Sequence, residues 1–109
     1  MFTRKKLDNH INSFLSELVK NGYSPNKVIL FGSYANGKPT DLSDIDLAIW
    51  DTQFTGCGTV DVSRIASILS NYPSIELHPF AVDETIGDNP FIEEIVTKGI
   101  EVPLTQRSN

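Results

Sequence analysis

Residues 27–50, KVILFGSYANGKPTDLSDIDLAIW, contain two apolar runs separated by a polar segment with two glycines. The first run, residues 27–31, is continuous, and the second, residues 44–50, begins with two aspartates. Short apolar runs of this kind are typical of strands that are buried on both faces of a sheet. We therefore expect two central strands, joined by the connection that contains Gly32 and Ser33.

One amphipathic helix is expected before these strands in the sequence and a second one after them. Over residues 7–19 the apolar positions follow one helical face, and the pattern stops before Gly22. A loop over residues 52–59 is followed by Asp61 or Ser63, either of which can cap a second helix. Both helices are predicted to cover the sheet.

A third strand and a last helix complete the pattern. Residues 74–82 alternate between apolar and polar side chains, as in a strand. Asp88 or Asn89 can cap the last helix, which stops at Gly99. The tail over residues 101–105 could add an edge segment to the sheet.

The fold class predicted from these elements is α/β (α+β), in a single domain over residues 1–109. The expected order is α-β-α-β-α-β-α, with a short helix or turn directly after Gly32 and Ser33. A mixed sheet of three or four strands would be flanked by the helices. The length of 109 residues and the 39% hydrophobic content fit one globular domain.

Composition argues against several functional classes. The net charge of −5 disfavours nucleic acid as a partner, because sequence-independent binding to phosphates needs clustered Lys and Arg. The longest apolar runs are too short to predict a membrane span or a signal peptide. Cys57 is the only cysteine, so no internal disulfide is possible. We expect a cytoplasmic protein without a membrane partner.

The acidic residues of the second and third predicted strands suggest a metal site. Asp44 and Asp46 are two residues apart, so in a strand both side chains project from one face. A hard divalent cation with oxygen ligands is the usual partner of such a pair. Glu76 would join them if the two strands are neighbours. Three carboxylates can hold two Mg²⁺ ions, as in phosphoryl and nucleotidyl transfer.

The histidines, the cysteine and two aromatic residues are given mainly structural interpretations. Zinc is not expected, because His10, His78 and Cys57 are isolated from one another in the sequence. His78 shares a face with the acidic residue of the third strand, and a strand-end histidine without a site role is the favoured interpretation. Trp50 is interpreted mainly as a packing residue, whereas Tyr34 could either contact nucleotide or pack in the first turn.

Gly32 and Ser33 are the candidates for holding phosphate. They follow a strand and open a turn, so backbone N–H groups and the Ser33 hydroxyl can face an anion. Gly32 lacks a β-carbon and would let the phosphates approach closely. A metal-bridged triphosphate is the ligand that this pair and the acidic residues would share.

The complete pattern is Gly-Ser, ten residues, Asp-x-Asp, with Tyr34 through Ser43 as the ten. It resembles the nucleotidyltransferase superfamily of DNA polymerase beta, in particular its minimal nucleotidyltransferase (MNT) branch. The resemblance extends over most of the chain, including "SDIDLAIW", "IELHPF" and "EEIVTKGIEVPL".

The resemblance implies a role for each motif residue. Gly32 and Ser33 would hold the triphosphate of ATP or another NTP. Asp44 and Asp46 would bind metal, and Glu76 would fill the third carboxylate position and act as general base. All three acidic residues would thus be both catalytic and metal-binding.

The resemblance also implies a biological role. MNT proteins typically act as antitoxins that transfer AMP to a hydroxyl of a HEPN-domain toxin, so a HEPN protein is the expected partner. A chain of 109 residues has little room for an acceptor pocket of its own. Members often carry a basic residue where this chain has Asn36, and many have Asp in place of Glu76. The alternative is a catalytically weak module that neutralises its partner by contact.

Overall fold

The two apolar runs form the centre of a four-stranded sheet in the computed structural model, which describes residues 1–104. β1 (Pro25–Phe31) pairs antiparallel with β2 (Ile45–Asp51), and β2 pairs in parallel with β3 (Ile75–Ala81). β4 (Ile100–Glu101) adds an antiparallel edge to β1, which gives the order β3-β2-β1-β4. The predicted mixed sheet is confirmed. β4 shares Glu101 with the predicted edge segment, and Thr105 of that segment lies outside the described residues.

Four helices accompany the sheet within residues 1–104, and their bounds are α1 (Arg4–Lys20), α2 (Gly58–Arg64), α3 (Ala66–Leu69) and α4 (Pro90–Lys98). The predicted cap of α4 is confirmed, because the Asn89 side chain accepts a hydrogen bond from the N–H of Phe91. In this part of the chain no helix is both long and apolar enough to cross a membrane.

The connection between β1 and β2 differs from the predicted order of elements. Residues 32–44 pass through turns and contain no helix. The carbonyl of Gly32 accepts hydrogen bonds from the N–H groups of Ala35 and Asn36. Gly37 then takes a φ of 78°, which is incompatible with continuing a right-handed helix. Because β1 and β2 are antiparallel, the ten residues serve as a hairpin connection.

The predicted helix after residue 60 also begins elsewhere. It starts at Gly58 and is broken at Ile65, so that two short helices replace one. Asp61 lies inside α2, and its buried carboxylate accepts hydrogen bonds from the N–H groups of Thr55 and Gly56. Asp61 therefore fixes the loop before the helix and does not cap the helix start.

The core lies on both faces of the sheet. One face packs on α1 through a cluster of buried residues that includes Phe14, Leu18, Val28, Leu47 and Ile65. The other face packs on α4, with Ile29, Ala48, Trp50, Phe80, Ile92 and Ile95. Trp50 stacks on Phe80 and donates a hydrogen bond from its indole N–H to the carbonyl of Glu84. The packing interpretation of Trp50 therefore agrees with the structure.

Gly99 marks the closest approach between the end of α4 and β1. A β-carbon at this position would overlap the Ile29 side chain and the carbonyl oxygens of Leu30 and Ile95. We expect Gly99→Ala to lower the free energy of unfolding by about 1–3 kcal/mol, as overpacking of a tight contact does. Gly58→Ala is the matched control, since a β-carbon there meets nothing within 4 Å. Equal denaturant midpoints for the two variants would contradict this prediction.

Candidate active site

Asp46 and Glu76 face each other across the two parallel strands. They are partners in the register of β2 and β3, and both project towards the face that α4 partly covers. The Asp46 side chain is 23% exposed and that of Glu76 is 55% exposed. The structure therefore brings two of the three predicted acidic residues together at an accessible position.

His78 lies between these two carboxylates. Its Nε2 atom is 3.3 Å from an Asp46 oxygen and 3.5 Å from a Glu76 oxygen. The sequence favoured a strand-end histidine without a site role, whereas the structure places the imidazole beside both carboxylates. His78 is two residues from Glu76, so the sequence already indicated that their side chains share a face. Only the strand register shows that the imidazole also reaches Asp46.

These three side chains can supply ligands to one divalent ion. One ligand atom from each of Asp46, Glu76 and His78 lies within 4.8 Å of the others. In an octahedral site with bonds of about 2.1 Å, ligand atoms stand about 3.0 Å apart when adjacent and about 4.2 Å when opposite. The observed separations fit a metal after only small side-chain movements.

Asp44 is placed differently from the prediction. β2 begins at Ile45, so Asp44 precedes the strand, and its side chain is exposed. It is not part of the group formed by Asp46, Glu76 and His78. The alternation argument holds only inside a regular strand, and the strand starts one residue too late to include Asp44.

The turn at Gly32 touches the acidic group. Gly32 has a φ of 77°, and a β-carbon there would overlap the carboxylate of Asp46. The glycine therefore makes room for Asp46, a contact that the sequence interpretation had assigned to phosphates. Within residues 1–104 the N–H groups of Ser33 and Tyr34 donate to no protein acceptor. Such N–H groups in a turn can bind an anion.

Neighbouring residues shape this turn. The Tyr34 hydroxyl accepts a hydrogen bond from the N–H of Phe2, which ties the turn to the chain start. The Asn36 side chain accepts from the N–H of Lys38, whose N–H also donates to the carbonyl of Ser33. Asn36 thus has a local structural role in the connection, and Tyr34 packs against the core beside Phe2.

One further buried carboxylate stands apart from this group. Asp51 is fully buried at the end of β2 and accepts hydrogen bonds from the N–H groups of Ser24 and Gln53. Burial raises the pKa of Asp51 above its ordinary value, while these two hydrogen bonds act in the opposite direction. Its role is to hold the end of the strand.

The family model "Polymerase beta, Nucleotidyltransferase" matches residues 14–107, and the chain belongs to this family. It is a nucleotidyltransferase-type domain.

One of the solved structures that this chain matches comes from Sulfolobus solfataricus. A proposed nucleotidyltransferase from Sulfolobus solfataricus is 15% identical, and the match covers 87% of this chain and 74% of that chain, with a TM-score of 0.49. No match was found among curated proteins.

Proposed function

We propose that this protein transfers a nucleoside monophosphate, AMP from ATP in the first instance, to a hydroxyl group on a partner protein. The observation that carries the proposal is the contact between the Gly32 turn and Asp46, which itself faces Glu76. A phosphate holder and a metal holder are adjacent there. The family match supports the nucleotidyl-transfer chemistry.

The reaction forms one P–O bond and breaks another. The acceptor oxygen attacks the α-phosphorus of the nucleotide, and the bond from that phosphorus to the bridging oxygen breaks, so that pyrophosphate leaves. Glu76, whose carboxylate is half exposed, accepts the proton of the acceptor hydroxyl. When bound, divalent metal ions neutralise charge on the phosphate oxygens. Two Mg²⁺ ions are the expected set.

The phosphate end of the nucleotide belongs at the turn. The N–H groups of Ser33 and Tyr34 are available to donate hydrogen bonds to the departing pyrophosphate. The Ser33 hydroxyl lies in the same turn and adds a third donor. Asp46 and Asp44 would hold metal on the other side of the phosphates, with Asp44 moving inward from its exposed position.

The acceptor is proposed to be a HEPN-domain protein, with this chain as its antitoxin in the cytoplasm. The motif spacing supports this choice through its similarity to the MNT branch. The half-exposed carboxylate of Glu76 leaves space for a hydroxyl group that another molecule presents. The exposed position of Asp44 favours the alternative, in which the chain neutralises its partner by contact alone.

Intact-mass analysis of the partner separates the two possibilities. The chain is co-expressed with the product of the neighbouring gene, and the partner is weighed after purification. We expect a mass increase equal to one or more nucleoside monophosphates with the wild-type chain and none with Asp46→Asn. An unmodified partner that is still neutralised by both versions would support contact alone.

A further inference from the structure

We propose that His78 is a direct metal ligand and that Asp46, Glu76 and His78 together bind one Mn²⁺ ion in preference to Mg²⁺ before any nucleotide arrives. This inference deepens the proposed function, because it concerns the ion that the nucleotidyl-transfer site holds. It departs from the expectation of an all-carboxylate magnesium site.

The position of the imidazole carries the proposal. Nε2 of His78 lies 3.3 Å from an Asp46 oxygen and 3.5 Å from a Glu76 oxygen. Both distances are close to the separation of about 3.0 Å between adjacent ligands in an octahedral site. An ion placed between the two carboxylates therefore meets this nitrogen as its third protein ligand.

The chemistry of the donor set favours a transition metal. Mg²⁺ takes oxygen ligands and loses its water reluctantly. Mn²⁺ shares the preference for carboxylates but belongs to the first-row metals that bind mixed nitrogen and oxygen sites. Mn²⁺ accepts carboxylate and imidazole ligands together, and it also binds phosphate oxygens. Two carboxylates and one imidazole thus shift the preference of the site from Mg²⁺ towards Mn²⁺.

Aromatic side chains hold the imidazole in place. The rings of Phe31 and Phe91 approach His78 edge-on, with centroid distances of 4.8 Å and 6.1 Å, and the two phenylalanine rings also contact each other at 5.7 Å. Side chains packed around a ligand restrict its rotation and lower the ordering cost of binding. His78 is therefore oriented for metal binding in the absence of ligand.

The position of Asp44 gives the stoichiometry. Its side chain is exposed and outside the group of three. A second ion needs further oxygen ligands, which the triphosphate would supply. We therefore expect one ion without nucleotide.

Pulsed electron paramagnetic resonance of bound Mn²⁺ tests the direct bond. The full chain is prepared without a histidine tag, loaded with Mn²⁺ and no nucleotide, and examined for modulation from directly coordinated nitrogen. The sequence has two histidines, so His10→Gln is the matched control for His78→Gln. His10 packs between Phe2 and Tyr72, away from the acidic group. We expect the nitrogen modulation in the wild type and in His10→Gln, and its loss in His78→Gln.

Mn²⁺ affinity provides the second readout. Losing a direct ligand should weaken binding by more than the roughly 10–100-fold that loss of an outer partner costs. Mg²⁺ affinity should change less, so the ratio of Mn²⁺ to Mg²⁺ affinity falls in His78→Gln. Asp41→Asn, at an exposed residue of the same connection, should leave nucleotide-free binding of one Mn²⁺ intact. Thermal melts of each variant show whether it is folded.

The outcomes separate this inference from the proposed function. A wild-type protein that binds Mn²⁺ without nitrogen modulation overturns the role of His78, even if nucleotidyl transfer is observed. Equal Mn²⁺-to-Mg²⁺ affinity ratios in wild type and folded His78→Gln overturn it as well. Nitrogen modulation in a chain that transfers no nucleotide supports the metal site and counts against the transfer reaction.

Discussion

Asp46→Asn is expected to lower the rate of nucleotidyl transfer by at least about 10³-fold, because metal-assisted charge stabilisation is worth several kcal/mol and each 1.36 kcal/mol is tenfold in rate. Asp46 is central, since it faces Glu76, approaches His78 and touches the Gly32 turn. The free energy of unfolding should stay near the wild-type value, because the substitution keeps the shape of the side chain.

The control for this variant is Asp41→Asn. Asp41 lies in the same connection between β1 and β2, is exposed, and forms an ion pair with the N-terminal amine at 3.4 Å. The same chemical change there should leave transfer within about twofold of wild type, since exposed ion pairs contribute little. Initial rates at saturating metal and nucleotide make the comparison. Comparable rates for Asp46→Asn and Asp41→Asn would remove Asp46 from the reaction.

Gly32→Ala is the second substitution with a large expected effect. Alanine must adopt the positive φ of 77°, which costs about 1–3 kcal/mol, and its β-carbon would also displace the Asp46 carboxylate. Displacement of a metal ligand by about 1 Å can cost on the order of 10²-fold in rate. We expect lower stability together with a transfer rate reduced by about that factor.

Comparison with Gly37→Ala separates the cost of the positive φ from the displacement of the Asp46 carboxylate. Gly37 lies in the same connection with a φ of 78°, and a β-carbon there meets nothing within 4 Å. The backbone cost should therefore be about the same in both variants, while only Gly32→Ala moves Asp46. Chemical denaturation gives the stability loss and initial rates give the activity. A Gly37→Ala variant that loses as much activity as Gly32→Ala would show that backbone strain alone is responsible.

The central strands were predictable because their apolar runs have strand length and no helical period. The runs at residues 27–31 and 44–50 became β1 and β2, at the centre of the sheet as expected. Asn89 was likewise a sound prediction, because a side-chain acceptor before a proline determines a helix start locally. Signals of this kind depend on neighbouring residues alone.

The arrangement of the candidate site depends on contacts between residues that are distant in the sequence. His78 meets Asp46 only because β3 lies in parallel beside β2 in one particular register, which the spacing of residues within one strand does not contain. Asp44 was grouped with Asp46 by alternation, but the strand begins at Ile45. The ends of strands are hard to predict from sequence, so alternation does not determine where the side chain of a residue just before the strand points.

The structure adds a second reason for a glycine at position 32 to the one predicted from the sequence. Gly32 was selected because phosphate needs room, and the structure adds that Asp46 occupies the space beside it. The turn proposed to bind phosphate and the carboxylate proposed to bind metal are thus in contact, and we expect substitution of one to disturb the other. This coupling underlies both of the large predicted losses of activity.

The position of the transferred label distinguishes nucleotidyl transfer from phosphoryl transfer and from hydrolysis of ATP. The chain and its partner are incubated with a divalent metal and ATP that carries radioactive phosphorus at either the α or the γ position. We expect the α-label to become covalently bound to the partner and the γ-label to appear in pyrophosphate. Label on the partner from γ-labelled ATP, or γ-label released as orthophosphate with no α-label transferred, would contradict nucleotidyl transfer.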